Sequence, residues 1–163
     1  MKTVLTFLLP LCLFVGCVAD SSEEPAESEE RVKVGDRLPS FSVDVIDGET
    51  TYVFSSDRLS GPTVIVFFHT SCSDCQRELP ELNDYYLRHR DEPGFQMVAI
   101  AREETEAEIA EYWQAHGLSI PYSPQPDRQV YSLFASMTIP RVYVCSLSGV
   151  VQWIGIENFT IIG

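Results

Sequence analysis

The sequence predicts an α/β domain with a mixed central sheet flanked by helices and an N-terminal β-hairpin. Three observations carry that reading. The run Thr63-Val64-Ile65-Val66-Phe67-Phe68 is apolar without alternation, the pattern of a strand buried on both faces as in a parallel sheet. Phe41-Ser42-Val43-Asp44-Val45 alternates, turns at Asp47-Gly48 and returns as Thr51-Tyr52-Val53-Phe54, which predicts the hairpin. Beyond it, strand and helix patterns alternate as βαβαβ, the order of an α/β architecture.

The elements follow in order. After the hairpin and the strand 63–68, the segment Gln76 to Arg90 reads as a helix, with Pro80 a kink inside it. Phe95 to Ala101 is a second buried strand. Thr105 and Glu108 form a capping box. Ile109, Tyr112, Trp113 and His116 then share one helical face, and Gly117 stops the helix. A Pro-rich loop, a helix from Asp127 to Ser136, and the strands Val142–Leu147 and Val150–Ile154 about a Ser148-Gly149 turn complete the pattern. Residues 31–163 suit one domain with one core.

The chemistry concentrates at Cys72-Ser73-Asp74-Cys75, between the apolar strand and the helix. Two cysteines three positions apart at a helix start lie about one turn apart, within reach of a disulfide. Unpaired N–H groups and the macrodipole at that end favour a thiolate at Cys72. Strand, CxxC and helix together read as a thioredoxin-like redox site. Asp74 places a negative charge between the cysteines, which predicts a reducing dithiol.

The segment Phe67-Phe68-His69-Thr70-Ser71-Cys72-Ser73-Asp74-Cys75-Gln76-Arg77-Glu78-Leu79-Pro80 resembles the active-site segment of thiol–disulfide oxidoreductases related to TlpA and ResA. Asp127 to Gly155, with Ile139-Pro140 before a strand pair, resembles the later part of the same thioredoxin-like domain. The resemblance implies a working pair Cys72–Cys75 that forms a disulfide, with Glu78 moving a proton at Cys75. It also implies a cis Ile139–Pro140 bond that presents the Ile139 backbone to a client strand. It implies protein disulfide or dithiol clients, a membrane electron donor, and no cofactor. Ser71 stands where the family usually has an aromatic residue, and Arg141 where it has a small polar one. A further helix normally follows the last strand; after Gly155 only eight residues remain here, so that helix is expected to be missing.

The N-terminus predicts export. Met1-Lys2-Thr3 precedes an apolar stretch from Val4 to Val15, too short for the ~20 residues of a membrane span and suited to a signal peptide over residues 1–16. Leu13-Phe14-Val15-Gly16-Cys17 resembles a bacterial lipobox, which implies lipid on Cys17 and a stable membrane anchor. Asp20, Glu23, Glu24, Glu27, Glu29 and Glu30 make residues 17–30 an acidic tether without enough apolar surface to fold. Acids so placed resemble surface-export signals of Bacteroidetes lipoproteins. The expected location is the cell envelope, anchored to the inner or outer membrane and facing the periplasm or the cell surface. A formal charge of −13 makes nucleic acid a poor partner.

Other residues narrow the function. Cys145, among Val142, Val144 and Leu147, reads as a small buried hydrophobe. His69, His89 and His116 lack ligand spacing with the cysteines, so no metal is expected. His69 reads as a packing or surface residue, or as a group tuning Cys72. Two alternatives to the reductase stand: a peroxiredoxin-like peroxidase and a non-catalytic lipoprotein of the same fold. Such peroxidases carry Pro and Thr seven and three residues before the reactive cysteine, where this chain has Ile65 and His69.

Overall fold

The structure is a computed structural model that describes residues 29–157. The proposed signal peptide, Cys17, most of the acidic tether and the last six residues lie outside that range. Seven strands form one mixed sheet: β1 (Ser42–Asp47), β2 (Thr50–Ser55), β3 (Thr63–Phe68), β4 (Gln96–Ala101), β5 (Tyr122–Ser123), β6 (Arg141–Cys145) and β7 (Val151–Ile156). Their spatial order is β2-β1-β5-β4-β3-β6-β7. β3, β4 and β5 run parallel, and β1, β2, β6 and β7 are joined by antiparallel pairs.

β3 sits inside the sheet, and all six of its residues are buried. Adjacent side chains point to opposite faces of a strand. Phe67 packs on Tyr131, Phe134 and Tyr143, while Phe68 meets Trp113 with ring centroids 4.9 Å apart. The unbroken apolar run thus feeds two cores. At the start of β3, Gly61 and Gly94 bring their backbones together. A Cβ on Gly61 would stand 2.3 Å from the Gly94 carbonyl oxygen.

Helix α1 (Ser73–His89) begins three residues earlier than the sequence pattern suggests, because Cys72 is its N-cap. It buries Cys75, Glu78, Leu79, Leu82 and Asn83, a stripe at helical spacing. Asn83 Oδ1 accepts the Ser119 N–H at 2.7 Å, tying α1 to the loop after the next helix. Helix α2 (Glu106–His116) has the expected capping box, and Gly117 ends it at φ 63°, a left-handed conformation suited to glycine. Ile109 and Trp113 of its expected face are buried, but His116 is exposed and stacks on Tyr112 at 3.9 Å.

Three segments differ from the sequence reading. The Pro-rich loop contains β5, whose two residues join the hairpin to the parallel strands and are too few to show a period. The helix expected over 127–136 shrinks to α3 (Gln129–Ser132). The backbone beyond it is taken by the N-terminal segment: Phe134 O accepts Arg31 N–H, and Ser136 N–H donates to Glu29 O. By the same contacts, Glu29 and Glu30 belong to the folded domain, although their acidic surroundings read as tether. Among the described residues no helix is long and apolar enough to cross a membrane.

Candidate active site

Strand register assembles the site. Phe68 pairs with Ala101 across the parallel β3–β4 ladder, so the residues that leave both strands emerge side by side. Arg141 pairs with Phe67 across the antiparallel β3–β6 ladder, so Ile139 and Pro140 arrive at the same end. Three segments therefore converge there: 69–75, 102–104 and 138–141.

Cys72 is half-buried and caps α1, its sulfur accepting the Cys75 backbone N–H at 3.4 Å. That is the contact through which a helix start stabilises an anionic sulfur. The same sulfur lies 3.7 Å from the Ile139 carbonyl oxygen. The Ile139–Pro140 bond is cis, and Ile139 itself is buried. Cys75 is fully buried. Burial first, and then its hydrogen bond with Cys72, pushes the Cys75 thiol far up. Both cysteines are free thiols in this structure.

Glu78 is buried one turn beyond Cys75, and its carboxylate meets Arg77 Nε at 3.2 Å. Arg77 also binds Asp74 at 2.8 Å. The charge of Asp74, expected to act on Cys72, is thus largely matched by its neighbour one turn on.

Two residues of the site were not singled out by the sequence. Glu104 follows β4 and is only 2% exposed. Its carboxylate accepts the Thr70 backbone N–H at 2.9 Å and the Thr70 hydroxyl, and lies 3.3 Å from His69 Nδ1. It therefore fixes the turn that delivers Cys72. His69 reaches Cys72 through the backbone, its carbonyl accepting the Cys72 N–H at 3.0 Å. Arg102 donates to Met137 O at 2.5 Å and lies over the Tyr131 ring, linking the end of β4 to the loop before Pro140. One acid and one arginine after a strand carry no spacing signature, so nothing in the sequence marked them.

Cys145 is fully buried opposite Thr63, at the far end of β3 from Cys72, about 17 Å along the strand. Desolvation raises its thiol to about 12. Among the described residues no three His, Cys, Asp or Glu side chains are grouped to hold a metal.

The profile of the AhpC/TSA family matches residues 34–154. Similar relatives include thiol-disulfide oxidoreductase ResA of Oceanobacillus iheyensis, 26% identical over 122 residues, covering 74% of this chain and 63% of the relative. ResA of Bacillus anthracis is 22% identical over 122 residues, covering 74% and 68%. A thioredoxin-family thiol:disulfide interchange protein from Chlorobium tepidum TLS superposes with a TM-score of 0.61 at 26% identity, over 75% of this chain and 86% of that one. StoA from Bacillus subtilis gives 0.61 at 19%, over 76% and 91%. Peroxidoxin BcpB from Mycobacterium tuberculosis gives 0.62 at 16%, over 79% and 88%. Since a peroxidoxin shares the fold, the fold alone does not choose the chemistry. With residues 34–154 matched by the family profile and ResA enzymes among its relatives, the chain belongs to the AhpC/TSA family as a ResA/TlpA-like thiol–disulfide oxidoreductase.

Proposed function

We propose that this enzyme reduces protein disulfides outside the cytoplasm, with Cys72 as attacking thiolate and Cys75 as resolving thiol. The observation that carries the reading is the asymmetry of the two sulfurs. Cys72 is half-buried, caps a helix and faces the Ile139 carbonyl, whereas Cys75 is sealed in the core with its thiol pushed up.

Ionised Cys72 keeps the Cys75 N–H as a donor and loses the S–H that points at Ile139 O. The carbonyl is then free to accept an N–H from an extended client segment. The thiolate attacks one sulfur of the client disulfide, forms a mixed disulfide and expels the other client sulfur as thiolate. Cys75 gives up its proton, with Glu78 as the nearby buried carboxylate that moves it, and attacks the Cys72 sulfur. The Cys72–Cys75 disulfide forms, the second client thiolate leaves, and two electrons have passed to the client. A membrane dithiol donor then restores the pair.

The reducing direction follows from Cys75. A thiol raised by desolvation at Cys75 adds nothing to the thiolate stabilisation that Cys72 draws from the helix start, which supports a dithiol that gives up its electrons. Lipid on Cys17, within the segment that resembles a lipobox, ties the domain to the envelope membrane.

The test runs insulin-disulfide reduction and peroxide consumption side by side on the wild type and Cys72→Ser. Insulin reduction that disappears with Cys72→Ser is expected; peroxide turnover in its place overturns the reading. Cys75→Ser should accumulate mixed disulfides with its clients in cells. Equilibration with glutathione should give a potential well below the ~−120 mV of a strong oxidant. Fatty-acid labelling lost on Cys17→Ala is the expected sign of the anchor.

A further inference from the structure

Arg141 directly follows the Ile139–Pro140 pair and is only 1% exposed. A buried guanidinium is costly unless its charge and N–H groups are met. Here Nη2 donates to Glu29 Oε1 at 2.6 Å and Nε donates to Thr138 O at 2.9 Å, while Nη1 lies 3.7 Å from Glu30 Oε1. Glu29 comes from the other end of the domain, 112 residues away.

The same oxygen of Glu29 also accepts the Thr138 backbone N–H at 2.9 Å. Thr138 O takes a second donor, the Tyr131 hydroxyl, at 2.9 Å. Thr138 is therefore held at both its N–H and its carbonyl. The next carbonyl along the chain, Ile139 O, is the one that faces the Cys72 sulfur. Backbone bonds seal the arrangement: Ser136 N–H donates to Glu29 O at 3.0 Å, and Arg31 N–H to Phe134 O at 2.9 Å.

We propose that Glu29 is a positioning residue for client binding: one carboxylate oxygen binds Thr138 N–H and the Arg141 guanidinium, and so sets where the Ile139 carbonyl stands beside Cys72. The inference rests on the proposed function, in which a client segment pairs with that carbonyl. It makes the chain just before the hairpin part of the recognition apparatus. It also explains Arg141: the guanidinium reads the position of the N-terminal segment and passes it to Thr138.

Glu29 and Glu30 allow a controlled test, because both place a carboxylate near Arg141 and Glu29 is the one that accepts the Thr138 N–H. The full chain is compared with Glu29→Ala, Glu29→Gln and Glu30→Ala. Three quantities are read: kcat and KM for insulin, the rate with the small disulfide dithiobis-nitrobenzoate, and amide hydrogen exchange at Thr138 without client. Glu29→Ala should raise KM for insulin about five- to tenfold, the loss of one charge-assisted hydrogen bond, with kcat and the small-disulfide rate little changed. Thr138 exchange should quicken. Glu29→Gln should recover part of both effects, since its carbonyl still accepts the Thr138 N–H, and it serves where the alanine variant folds poorly. Glu30→Ala should leave KM and exchange as in the wild type. A Glu29→Ala protein with wild-type KM and exchange, or a Glu30→Ala protein matching its defects, overturns the proposal. If the wild type reduces no insulin, the functional reading falls by itself, and unchanged Thr138 exchange in Glu29→Ala then overturns the positioning role on its own.

Discussion

The Cys72 sulfur stands 3.7 Å from the carbonyl oxygen of Ile139, a residue 67 positions further along the chain. Register brings the two residues to the same end of the sheet, because Arg141 is locked opposite Phe67 in the β3–β6 ladder. In the proposed function the contact puts a hydrogen-bond acceptor beside the attacking atom, where a client backbone and a client disulfide would both arrive.

Alkylation should separate the cysteines. Reduced protein treated with iodoacetamide at neutral pH should be modified at Cys72 on the order of a hundredfold faster than at Cys75, since thiolate character and access both favour it. Cys75 is fully buried with its thiol pushed up, so peptide mapping that finds it labelled first would reverse the assigned roles.

Glu78→Gln tests proton transfer at Cys75. Replacing the buried carboxylate should lower turnover roughly hundredfold or more, the lower end of the ~10²–10⁴-fold worth of a positioned acid or base. The mixed disulfide should persist, while the alkylation rate of Cys72 stays as in the wild type. Unchanged turnover would leave Glu78 as a partner of Arg77 only.

Glu104→Ala should loosen the turn before Cys72. It leaves the Thr70 N–H without its acceptor, at a cost of ~1–3 kcal/mol in denaturant unfolding. Unfolding at the wild-type midpoint would mean that solvent replaces the carboxylate without loss.

Stability should fall in alkali through Cys145. Its folded thiol titrates at about 12 against an ordinary 9.0, so the native state holds its proton more tightly than the unfolded chain does. Its contribution is complete below pH 9.0 and is lost as pH rises through about 12. Melting temperatures of the wild type and Cys145→Val, followed from pH 7 upward, should diverge above pH 9.0, with the variant losing less. Parallel curves would rule out the thiol as the cause.

What the sequence determined by itself is local. The run 63–68 predicts a strand with two buried faces, Asp47-Gly48 a hairpin, Thr105 with Glu108 a helix start, and Gly117 its end; all four are found. Cys72 and Cys75 could be singled out as a candidate pair because a CxxC has a spacing, and the cis bond at Pro140 because the segment resembles a known family. The tertiary structure decided whatever depends on a distant partner. Glu104 gains its role from Thr70, 34 residues away, and Glu29 from Arg141, 112 residues away. β5 exists because two neighbours pair with it, and α3 stops early because residues 29–32 claim the backbone beyond it. Periodicity, caps and spacing record what a segment does with its own backbone. A buried charge instead takes its partner from the register of the sheet, and no local pattern records that register.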